Sequence, residues 1–133
     1  AVGASGTILT STNGTSWTSR TSGTTDDLWG VAYGNGLWVA VGDSGTILTS
    51  TNGTSWTSRT SGTSSALFDV AYGNGFWVVV GASGTIRTSL DGTSWTGRAS
   101  DTTDNLRGVA YADDLWVAVG DSGTVSTVRD IIT

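Results

Sequence analysis

Paired carboxylates are the side chains of this chain best suited to chemistry. Asp26-Asp27, Asp101, Asp104 and Asp113-Asp114 supply them. Two such groups across a glycosidic bond can act as acid and base. Asp26-Asp27 and Asp113-Asp114 are also oxygen-rich enough to hold a calcium ion at a channel mouth. A plainer account places these residues in a solvated loop ahead of an apolar strand, and the sequence favours it. No histidine or cysteine is present, so Ser–His–Asp and Cys–His nucleophiles and Cys/His zinc sites are excluded. No phosphate-binding glycine motif stands between a strand and a helix. The sequence therefore names no catalytic residue, no metal and no cofactor, and it reads as a non-enzyme.

Composition narrows the partners. Six arginines face eleven aspartates, and lysine, glutamate, methionine and proline are missing. The net charge of -5 argues against nucleic acid, which needs clustered basic groups, and against an anionic membrane surface. No apolar run approaches the roughly 18 residues of a membrane span, so no membrane insertion is expected. A chain this rich in serine, threonine and glycine, without cysteine, reads as secreted or surface-displayed. Residue 1 already lies inside a repeat, so no signal peptide is visible, and the sequence begins without methionine, as a processed chain or a fragment does.

The elements that must position any site follow from a repeat. Gly3-Ala4-Ser5-Gly6-Thr7-Ile8 returns at Gly42, Gly81 and Gly120, a period of 39 residues. A repeated unit of this size cannot bury its apolar faces alone, so neighbours stack. In residues 28–66, Leu28–Tyr33 and Leu37–Val41 are apolar runs on either side of Asn35-Gly36, the strongest short hairpin signal. Thr46–Ser50 predicts a third strand, and Ser55–Arg59 a fourth, more polar one. No apolar period of 3.6 survives, so no helix is expected. Four short antiparallel strands per repeat of about 40 residues predict the blade of a β-propeller, ahead of a β-solenoid. The fold class is all-β.

Between the third and fourth strands lies Ser11-Thr12-Asn13-Gly14-Thr15-Ser16-Trp17. It returns with Ser50, Asn52, Gly53 and Trp56, and again with Ser89, Asp91, Gly92 and Trp95. This box resembles the Asp-box, or BNR repeat, of sialidase-like and photosystem-assembly-factor-like propellers. The whole unit is similar to repeats of bacterial secreted and phage-tail propellers. The resemblance implies a folding device: the acidic or amide side chain caps a turn before the outer strand, and the tryptophan packs between blades. Turn chemistry agrees, since Asn or Asp before Gly bonds the backbone ahead of it. The fourth copy, Ser126-Thr127-Val128-Arg129-Asp130, has lost the Gly and the Trp. Sialidase activity does not carry over. It needs glutamate and an arginine cluster, whereas Arg20, Arg59 and Arg98 are copies of one repeat position. Asn13 and Asn52 also match the N-glycosylation pattern.

The phase of the repeat divides the chain into a partial blade (1–27, strands three and four), two blades (28–66 and 67–105), and a partial blade (106–133, strands one and two plus a tail). The two partial blades complement one another. The sequence thus predicts a ring completed by more than one chain: a homodimer of six blades, a larger ring, or a head-to-tail filament. A fragment of a longer propeller is the remaining option. Residues 1–27 match 40–66 at all but four positions, as recent amplification or deliberate engineering would produce.

Aromatic residues are the remaining candidates for recognition. Trp38, Trp77 and Trp116 sit in apolar strands and are expected in the inter-blade core, with Tyr33, Tyr72 and Tyr111 nearby. Trp29 differs, because its repeat equivalents are Phe68 and Arg107. Variation at one repeat position marks an exposed one, so Trp29 and Phe68 are the candidate ligand-binding residues. The leading function is a non-catalytic structural or interaction module that assembles with itself. A multivalent glycan-binding lectin is the alternative, and a propeller hydrolase the third.

Overall fold

The computed structural model describes residues 1–128. Its strands form four antiparallel sheets in chain order. The first contains β1 (Val2–Gly3), β2 (Thr7–Thr10) and β3 (Thr18–Arg20). The second contains β4 (Leu28–Gly34), β5 (Leu37–Gly42), β6 (Ile47–Ser50) and β7 (Thr57–Arg59). The third repeats this pattern with β8 (Leu67–Gly73), β9 (Phe76–Gly81), β10 (Ile86–Ser89) and β11 (Thr96–Arg98). The last contains β12 (Leu106–Ala112), β13 (Leu115–Gly120) and β14 (Val125–Val128). Each sheet is a meander, and the inner strands β4, β8 and β12 lie side by side. The degenerate fourth box runs past Val128, so its Arg129 and Asp130 lie outside the described residues.

Turn chemistry sets the local geometry. Asn35 and Gly36 take φ of 50° and 77°, the two left-handed residues of a type I′ hairpin, whose twist matches the flanking strands. Asp113 and Asp114 hold the same place in the last sheet, with φ of 52° and 63°. This corrects the expectation that they precede an inner strand. They join β12 to β13, at the opposite end of the inner strands from Asp26, Asp27, Asp101 and Asp104. The second turn closes as a three-residue 3-10 turn, Asp43–Gly45 in the first complete blade. A side chain on Gly45, at φ 71°, would run into the carbonyl of Thr63.

The core consists of seams between sheets. In one, Val39, Val41 and Ile47 pack against Leu67, Trp77 and Val79 of the next sheet. In the next, Val78 and Val80 meet Leu106, Trp116 and Ala118. In the first, Val2 and Ile8 meet Leu28, Ala40 and Leu48. These sets are copies of one another along the repeat. Alternation along each strand supplies one set of side chains to the preceding seam and the other to the following seam.

The strand-two tryptophans do not share one environment. Trp77 and Trp116 are buried, at 1% and 3% exposure, but Trp38 is 38% exposed. Among the described residues, the sheet ahead of Trp38 consists of the two-residue β1 with β2 and β3, and none of them stands where Val39 packs with Trp77. Exposure on the far side mirrors this. Val119 and Val125 are 44% and 64% exposed, although their equivalents Val41 and Ile47 are fully buried.

Candidate functional site

A register shift at the start of each inner strand positions the candidate residues. Leu28 pairs with Gly42 and Gly30 with Val41, which leaves Trp29 as the extra residue of a β-bulge. Phe68 and Arg107 occupy the same bulge in β8 and β12. Bulges bend a strand and re-aim a side chain out of the ladder. Here they line up three side chains across three blades. The Trp29 and Phe68 rings meet edge to face with centroids 6.1 Å apart. The Arg107 guanidinium lies over the Phe68 ring, 4.7 Å from its centroid. Trp29 is half exposed, at 52%.

Each polar member of this row has its own carboxylate. Trp29 Nε1 donates to Asp43 Oδ1 at 2.7 Å. Arg107 donates to both oxygens of Asp121, at 3.1 and 3.3 Å. The Arg107 hydrogen bonds hold the Asp121 carboxyl below the usual carboxylate range, and Asn105 adds a further one. At the corresponding place opposite Phe68, which has no donor, stands Ala82. The repeat thus pairs a donor with aspartate and an apolar ring with alanine. Sequence reasoning placed Trp29 and Phe68 here but assigned Arg107 no role. Its position in the repeat was the available signal.

The other carboxylates serve the turns. Asp26 Oδ2 accepts from the Thr46 hydroxyl at 2.8 Å, and Asp104 Oδ2 from Thr124 at 2.7 Å. Asp27 Oδ1 accepts from Ser5 N, and Asp101 Oδ1 from Ser126. Asp114 accepts from the Tyr111 hydroxyl; burial, and then that bond, raise the tyrosine above its ordinary pKa. Among the described residues, no group of three acids converges as a metal site would require. Arg20, Arg59 and Arg98 each donate through Nε to a threonine of their own sheet, Thr10, Thr49 and Thr88.

The turn boxes close on themselves. Asn13 Oδ1 accepts from the backbone of Thr15 and Ser16 at 2.8 and 2.9 Å, and Ser11 Oγ accepts from Gly14 N at 2.8 Å. Asn52 with Ser50, and Asp91 with Ser89, repeat these bonds. Asn13 and Asn52 are exposed. The indole of each box donates to the glycine carbonyl of the box: Trp17 to Gly14, Trp56 to Gly53 and Trp95 to Gly92. Trp56 and Trp95 then pack into seams, as the box resemblance implies. Trp17 lies outside these clusters and is 50% exposed; its sheet is the first among the described residues.

The site as built presents a flat indole, a phenyl ring and a guanidinium along one rim. It can stack on a planar or ring-shaped group and pair with an acceptor.

No protein-family model matches the chain, and no curated protein does. A solved structure described as YCF48 bound to D1 peptide is similar to it, with a TM-score of 0.74 and 23% identity over 97% of this chain. The chain spans 45% of the length of that structure. The likeness shows the fold: the four sheets are blades of a β-propeller.

Proposed function

We propose that this chain is a non-catalytic interaction module, a self-assembling propeller scaffold closed by strand exchange with a second copy. One observation carries the proposal: Trp38 is 38% exposed while Trp77 and Trp116, at the same repeat position, are buried. The faces left open at the two ends of the array are copies of faces that pack together inside it. Two chains joined this way make six blades, within the four to eight of closed propellers. Pairing also covers sheet edges that would otherwise template aggregation. Absolute mass by light scattering behind a sizing column tests this. Two chains per particle support the six-bladed ring. A larger discrete ring, or a filament from a contact that does not close, supports assembly with another symmetry. A monomer at all concentrations refutes it. An extracellular or surface location belongs to the same proposal.

The Trp29–Phe68–Arg107 rim favours a second reading, in which the module recognises a ligand across blades. YCF48 is bound to a D1 peptide in the similar structure. For this chain, a glycan stacked on Trp29 makes the lectin alternative, with copies of the rim adding avidity. A glycan array probed with the chain and with Trp29→Ala decides it. Hits lost in the variant support the lectin, and an array without hits removes it.

A further inference from the structure

A cavity of about 300 Å³ lies between the third sheet and the last. Val78, Val80 and Ile86 form one wall, and Trp116 and Ala118 another. One sheet earlier, Trp95 packs against the cluster that contains the equivalent residues Val39, Val41 and Ile47. One sheet before that, Trp56 packs against the cluster that contains Ile8, with Val2 beside it. Each is the box tryptophan of the following sheet. The last sheet has no such residue, since Ser126-Thr127-Val128-Arg129-Asp130 replaces the box. The remaining box tryptophan is Trp17, half exposed on a turn already closed by its bond to Gly14 O.

We infer that this cavity is the seat for Trp17 of a second copy of the chain, delivered by that copy's β2–β3 hairpin pairing with β13. The inference rests on the self-assembly proposed above and specifies its partner surface. The register follows from the complete blades. There, Val39 stands opposite Thr49 and Val41 opposite Ile47. The same alignment sets Val117 opposite Thr10 of the second copy and Val119 opposite Ile8.

In the isolated chain that edge of β13 is taken by β14, with Ala118 opposite Ser126 and Val119 opposite Val125. The incoming β2 is the better occupant. It brings Leu9 to the position where Leu48 is 2% exposed, while β14 has Ser126 there. It also arrives with an outer strand and a folded box, and the last sheet has neither among the described residues. The exchange gives up the two-residue ladder between β1 and β2 and the Ser5–Asp27 bond of the second copy, and the β13–β14 ladder with the Thr124–Asp104 and Ser126–Asp101 bonds of the first.

Trp17→Ala tests the seat. Trp17 is outside every core cluster, so the variant folds, and an unchanged far-ultraviolet spectrum checks this. Removing a buried anchor tryptophan should raise the dissociation constant of the assembly roughly a hundredfold. Register is read separately with Thr10→Cys plus Val117→Cys. The chain has no cysteine of its own, so oxidation should give an intermolecular disulfide. Arg20→Cys plus Val117→Cys, out of register because Arg20 lies on β3 beyond β2, should give none. An assembly indifferent to Trp17→Ala, or cross-linked only by the out-of-register pair, overturns the seat while self-assembly stands. A chain that never assembles overturns both.

Discussion

Asp69 Oδ2 accepts a hydrogen bond from Val109 N at 3.0 Å, pinning the inner strand of one blade to that of the next. Its other oxygen accepts from Val70 N at 2.9 Å. The equivalents of Asp69 are Gly30 and Gly108, so this clip is made at one seam only. Asp69→Ala leaves both amides without this acceptor. It should cost about 1–3 kcal/mol, read as a shifted urea midpoint at constant slope. A variant as stable as the parent would mean that water replaces the carboxylate freely.

The strand-two tryptophans should separate by position. Trp77 is enclosed by Val39, Val41 and Leu67, and Trp77→Ala should cost about 3–5 kcal/mol. Trp38→Ala, measured at a concentration low enough to keep the chain monomeric, should cost well under half of that. Equal losses would show that Trp38 is covered in solution by the chain itself.

The boxes differ in their response to acid. The backbone N–H groups of Ser94 and then Thr93 hold the Asp91 carboxyl below the usual carboxylate range, against the opposing effect of burial. A depressed folded pKa contributes stability that is present above the unfolded value, about 4, and is lost as pH falls through the folded one. The amides Asn13 and Asn52 do not titrate. Thermal melts at neutral pH and near pH 2 should therefore show a smaller acid loss for Asp91→Asn than for the parent. Parallel losses would remove Asp91 from the acid response.

One residue of the open face departs from the repeat. A Cβ on Gly34 would stand 2.5 Å from the Tyr72 ring, and Gly73 lies equally close under Tyr111. Ala112, their equivalent, already carries that carbon. In the proposed exchanged seam it would face Tyr33 of the second copy, which is 56% exposed in the single chain, and the added carbon would crowd that ring. Ala112→Gly should tighten the assembly by about three- to tenfold, measured by dilution on a sizing column. Weaker assembly would place the second copy elsewhere.

Local sequence carried much of this structure because turns and strands are decided over a few residues. Asn35-Gly36 announced its hairpin, since both residues adopt positive φ readily, and the boxes announced theirs through a serine and an Asx side chain within bonding reach. Asp113-Asp114 was misplaced because aspartate signals a solvated loop more strongly than a left-handed turn. The bulge at Trp29, Phe68 and Arg107 was not legible either. An extra residue in one strand shows only against the partner strand, so Arg107 went unassigned.

The sequence by itself determined the all-β character, the 39-residue unit and the antiparallel meander within each unit. These depend on periodicity and turn residues close together in the chain. Tertiary structure alone decided burial and alignment. Trp38 and Trp77 are the same letter in nearly the same context, yet only one is covered, because a seam is made by two blades and each residue holds half of it. The row of Trp29, Phe68 and Arg107 exists for the same reason: three residues a full repeat apart meet only when the blades stack.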